Sequence, residues 1–91
     1  MTTEYNRGYH DCIRAARVIL RRAAQKRVPV RSTSIIEAIQ HVLNDDTVEY
    51  NEGICAAILY IRELLGPDFL PLYPGDIHEI LQRLVINPSS A

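Results

Sequence analysis

The chain has no tryptophan, one phenylalanine, two cysteines and four glycines, and each scarcity removes a class of function. Cys12 and Cys55 lie far apart, each inside an apolar periodic segment, so no disulfide framework or zinc-ligand pair is expected. Both read as buried free thiols, behaving as small hydrophobes. Gly8, Gly53, Gly66 and Gly75 are too scattered for a phosphate-cradling loop. No apolar run approaches the roughly 18–20 residues needed to cross a bilayer, so no membrane partner is expected. Met1 to Arg7 is polar and lacks the apolar stretch of a secretory signal, which makes a cytoplasmic location the expectation.

Histidine is scarce too. His10 and Cys12 are two residues apart on a helical segment, point in different directions and do not pair as base and nucleophile. His41 has no acid or histidine one turn on, and His78 stands beside Glu79 without a ligand-spaced companion. No catalytic residue, metal site or cofactor is expected, and the chain reads as a non-enzyme.

What is present is helical periodicity. Tyr5, Tyr9, Cys12, Ala16, Ile19 and Ala23 recur in steps of four and three, with Ile13 and Leu20 widening the stripe, which is the period of a helix. Thr2 or Thr3 is placed to cap it. The same reasoning predicts an all-α fold, a single domain over 1–91, with helices at about 4–26, 35–43, 48–65 and 77–86. Ser34 and Glu37 read as a capping box for the second helix. Asp45, Asp46 and Thr47 offer caps for the third, with Gly66–Pro67 as its stop. Asp76 and Glu79 read as a box for the fourth, which Asn87–Pro88 should end. Gly8 and Gly53 fall inside helices, where each costs about 1 kcal/mol relative to alanine; close approach of two helices would explain them. The third helix is apolar over most of its circumference, as expected of a central helix or of one covered by a second copy.

Charge is distributed unevenly. Residues 1–31 carry eight basic and two acidic side chains, a balance of +6, while the remainder carries two basic and nine acidic ones, a balance of −7. At 100° per residue Arg7, Arg14, Arg17 and Arg21 fall within an arc of about 80° on the first helix, a cationic flank suited to carboxylate or phosphate. That flank reads as a solvated face partly paired to Glu49, Glu52 or Glu63, as a docking surface for an acidic protein or a second copy, or as a phosphate binder. Helix–turn–helix recognition of DNA does not fit, because the third helix opens with Asp45, Asp46, Glu49 and Glu52, which phosphates repel.

Between the third and fourth helices, 67–75 is a Pro-rich apolar loop whose Phe69, Leu70, Leu72 and Tyr73 either cover the core or form a partner-binding patch. Together these features lead to an expected function. The chain should be a small protein-binding adaptor, regulator or inhibitor of a larger protein or complex, homodimeric, with Arg7, Arg14, Arg17, Arg21 and the loop residues as its contact set. Phage inhibitors of host defence complexes are of this size class, in which case the location is the host cytoplasm. The alternative is a nucleic-acid-associated protein that contacts phosphate backbones through the first helix.

Overall fold

The computed structural model describes residues 3–44 and 46–84. Thr2, Asp45 and the stop expected at Asn87–Pro88 lie outside them. Among the described residues four helices form an all-α bundle: α1 is Thr3–Gln25, α2 Ser32–Val42, α3 Val48–Leu65 and α4 Pro74–Arg83. No helix among the described residues is long and apolar enough to cross a membrane.

The central element is α1, which packs against each of the other helices and most extensively against α3. This contact rests on missing side chains. Gly8, Cys12 and Ala16 lie four apart on one side of α1, and Gly53 and Ala57 four apart on α3, all buried. A β-carbon on Gly8 would run into the main chain of Tyr50, and one on Gly53 into the main chains of Tyr5 and Tyr9. The two glycines thus let the backbones touch, as their helical positions suggested. Tyr50 then locks the crossing: its hydroxyl donates to Asp11 Oδ2 at 2.7 Å. That bond, with burial, pushes the Tyr50 phenol up to about 12.

α1 and α3 run parallel, since Gly8 meets Tyr50 near their starts and Val30 pairs with Leu72 beyond their ends. α2 and α4 return in the opposite sense, bringing Leu43 beside Asp11 and Arg14 and Leu84 beside Arg17. Leu20, Ile39, Ile61, Ile77 and Leu84 fill the middle. Cys12 joins this core, and burial raises its thiol to about 12. Cys55 does not. It is exposed, on the outer side of α3, because it sits about half a turn round from the glycine contact.

The bounds of α3 agree with its sequence signals: Thr47 Oγ1 accepts from the Tyr50 amide at 3.2 Å, and Gly66 closes the helix at φ 79°. Two other helices start earlier than expected. α2 begins at Ser32, so Ser34 lies inside its first turn and the Ser34–Glu37 box does not form. α4 begins at Pro74, a residue whose missing amide hydrogen costs nothing in a first turn. Asp76 therefore stands three residues in, where it accepts the Tyr73 amide at 2.9 Å. The described part of α4 ends at Arg83, with Leu84 as its C-cap; the expected continuation through 85–86 is outside the described residues.

Candidate functional site

The Pro-rich loop is tied down at three places. Val30 and Leu72 exchange both main-chain hydrogen bonds, at 3.0 and 2.8 Å, joining it to the α1–α2 connection. Asp68 reaches back to the start of α2, where its Oδ1 accepts from the Thr33 hydroxyl at 2.6 Å and the Thr33 amide at 3.0 Å. It thereby supplies the N-terminal cap that α2 lacks locally. The Thr33 hydroxyl and then its amide hold the Asp68 carboxyl below the usual carboxylate range. The third tie is the Tyr73 amide on Asp76.

On this fastened backbone the apolar side chains divide. Leu72 is 7% exposed and belongs to the core, so it is not available as a contact residue. The bridge to Val30 turns it inward. Its neighbours Phe69, Leu70 and Tyr73 are 79%, 54% and 53% exposed. Beside them runs a groove of about 640 Å³ between the end of α3 and α4, lined by Leu64, Leu70, Tyr73 and Ile80, with Asp76, Glu79 and Arg83 as its charged residues. The groove exists because α3 and α4 both pack on α1 and hardly on each other. Of the two roles open to the loop, covering the core falls to Leu72 alone.

The arginine flank is not a continuous cationic edge. Arg7 is engaged inside the molecule: its guanidinium lies 2.7 Å from Glu4 and 2.9 Å from Asp46, and 4.3 Å above the Tyr50 ring. These carboxylates raise the Arg7 pKa, and hydrogen bonds from Arg7 lower those of Glu4 and Asp46. Arg17 is engaged too. It donates to the carbonyl oxygens of Leu81 and Leu84 at 3.1 and 2.6 Å, closing the C-terminal end of α4, where a cation is favoured. Both therefore have partners within the chain, although 44% of the Arg7 side chain is still exposed. Arg14 lies 3.8 Å from Asp11 with its side chain mostly exposed, and Arg21 is exposed. The acids that pair with the flank are Glu4, Asp11 and Asp46, rather than Glu49, Glu52 or Glu63.

His78 lines a cleft of about 460 Å³ with Arg21 and Arg27, and that cleft contains neither His10 nor His41. In the sequence Arg27 is one of the eight basic residues of 1–31 and is not set apart from the others by its charge. Its position just past the end of α1, where glycine is the usual residue, was the available signal. The chain matches no protein-family model, no curated protein and no solved structure.

Proposed function

We propose that the chain is a protein-binding adaptor, regulator or inhibitor that docks on a larger protein through Phe69, Leu70, Tyr73 and the groove beside them. One observation carries this reading: three large apolar side chains stand in solvent on a backbone that is already fixed. Burying a side chain of this kind releases about 1.5–3 kcal/mol. A fastened loop loses little conformational freedom when it docks, so more of that gain is retained as affinity. A cytoplasmic setting, that of a host cell if a phage encodes the chain, goes with this reading.

The test compares proteins captured from a native lysate by the wild type and by the triple variant Phe69→Ser, Leu70→Ser, Tyr73→Ser. All three residues are exposed, so helicity by circular dichroism should be preserved. Partners held by the platform disappear with the triple variant and persist with Arg21→Gln. Capture of the same proteins by both would overturn the reading.

A second copy belongs to this proposal as well. Val48, Cys55 and Leu59 are exposed on the outer side of α3, and a copy seated there would cover them. Light scattering across a concentration series reads the dimer directly. Pairing basic α1 with acidic α3 of another copy has fewer cations to draw on, because Arg7 and Arg17 already have partners within the chain. Nucleic-acid binding has one observation in its favour, the exposed cluster Arg21, Arg22, Lys26 and Arg27. A mobility shift at low salt that fades at moderate salt would support it.

A further inference from the structure

The geometry points to a binding site for a terminal phosphate group in the cleft between the end of α1 and the start of α4. This site is separate from the apolar platform and does not rest on it. From Cys12 to Ile36 the chain holds seven basic side chains and no acidic one. Arg17 is held by α4, while Arg14 and Arg31 each have a carboxylate at 3.8 and 3.7 Å. Arg21, Arg22, Lys26 and Arg27 are left without an ion pair among the described residues. Two of these four converge: Arg21 and Arg27 line one cleft together with Gln25 and His78, and Leu81 and Pro74 supply apolar wall. No carboxylate is among its described lining residues.

An independent observation comes from the backbone. Arg27 adopts φ 57°, the left-handed region, and is the only non-glycine among the described residues to do so. A residue in this conformation closes α1, with the Arg27 amide donating to Ala24 O at 3.4 Å. That closure needs only backbone, and glycine adopts it without the steric penalty of a β-carbon. An arginine is held there although its side chain has no ion pair or hydrogen bond within the described residues; the carbonyl end of α1 favours a cation, but Arg22 and Lys26 already supply one without that penalty. Non-glycine residues held in this region without a local contact cluster at functional positions.

The chemistry of the lining selects the ligand. Two guanidinium groups bring five N–H donors each, and imidazole and amide add more. A phosphate monoester carries a charge of about −1.5 to −2 and three strong acceptor oxygens, enough to engage donors arriving from α1, the turn after it and α4 at once. A carboxylate has two oxygens and one charge. The cleft is a local recess, which suits a terminal phosphate better than a continuous backbone, and its apolar wall can receive the attached organic group. Pro74, which has no N–H, is the one first-turn residue of α4 in the described lining, so the donors are the side chains of Arg21, Gln25, Arg27 and His78. The Asp76 carboxylate in that turn is directed to the Tyr73 amide.

The test is an amide-resonance titration of the intact protein at constant ionic strength. The probes are inorganic phosphate, a short phosphoserine peptide with its unphosphorylated twin, and a single-stranded oligonucleotide. Saturable shifts confined to residues 21–27 and 74–78 with inorganic phosphate support the site. Tighter binding of the phosphopeptide assigns the phosphate to a modified protein, and equal binding assigns it to a small free phosphate. Arg27→Gly should weaken binding at least tenfold while the melting temperature stays level or rises. Arg21→Gln should also weaken it, and keeps the question open to test if the glycine variant misfolds. Arg62→Gln, an exposed cation on α3, should change nothing. Unsaturable shifts would overturn the proposal, as would binding unaffected by either cleft variant. So would oligonucleotide shifts spread along α1 with no response to inorganic phosphate.

Discussion

The two halves of α1 carry the same residue type in the same helical phase, yet their arginines have different surroundings. In the first half Arg7 is enclosed by Glu4, Asp46 and the ring of Tyr50, at the end of the molecule where α1 and α3 touch through glycine. In the second half Arg21, Arg22 and Lys26 have no ion pair among the described residues. The difference lies in what each half is packed against. The start of α1 faces Asp46 of the α2–α3 connection, whereas its end shares a cleft with Pro74, His78 and Leu81 of α4. Charge along a chain therefore describes a surface only after each cation's partner is known. Arg17, midway, serves neither as surface nor as ion pair, because it is held by carbonyl oxygens.

The largest test of this contrast is steric. Gly53→Ala places a methyl group against the backbone of Tyr5 and Tyr9. Overpacking against side chains costs about 1–3 kcal/mol, and here, where two main chains must part, about 3–4 kcal/mol. A better helix propensity returns only about 1 kcal/mol of that. A net loss of about 2–3 kcal/mol should lower the melting temperature of a domain this size by roughly 10 °C or more. Gly75→Ala is the matched control at the other end: open space surrounds that position, so the melting temperature should rise slightly. Equal responses would mean that the glycine contact does not hold the first half together.

Next comes Arg17→Gln, which removes the cation from the end of α4. Hydrogen bonds to charged groups contribute about 1.5–3 kcal/mol, and the loss here should be about 2 kcal/mol. Hydrogen exchange gives the sharper measure. Amides of α4 should exchange faster than those of α2, because the cap acts on α4 alone.

A smaller effect is expected from Asp68→Ala, which leaves the start of α2 uncapped. The Asp68 carboxyl lies below its ordinary value in the fold, so its ionised form is the one the fold favours. Its contribution is complete above the unfolded value near 4 and is lost as pH falls through the lower folded value. Melting curves of wild type and variant should therefore separate at pH 7 and approach each other below about pH 4.

Which of these features the sequence discloses depends on how far away their causes lie. α3 is legible because its cap at Thr47 and stop at Gly66 are local. The existence of α2 and α4 follows from apolar periodicity, but their starts do not: α2 is capped by Asp68, 35 residues beyond Thr33, and α4 opens on a proline that reads equally well as loop. The glycine contact is legible because a helix tolerates interior glycine poorly without a packing reason. Leu72 and Leu70 are indistinguishable in sequence, since only the bridge to Val30 decides which of them turns inward. Cys55 misleads because α3 is apolar on its outer side as well. The arginine stripe is visible by angle alone, whereas its division into held and free members requires knowing where α4 ends and where Asp46 falls.

The smallest expected effect is the one that separates the halves of α1 most directly. Arg21→Gln removes a cation without an ion pair in the described structure, and exposed substitutions away from specific contacts stay within about ±0.5 kcal/mol. Its melting temperature should match the wild type at low and at high salt. Arg7→Gln removes a guanidinium that bridges two carboxylates, leaving Glu4 and Asp46 to repel each other across the joint between α1 and α3. That variant should melt lower, and added salt should narrow the gap by screening both the lost attraction and the new repulsion. If the two variants melted alike at every salt concentration, the arginines of the two halves would be equivalent, and the assignment of Arg7 to the fold and of Arg21 to the surface would fail.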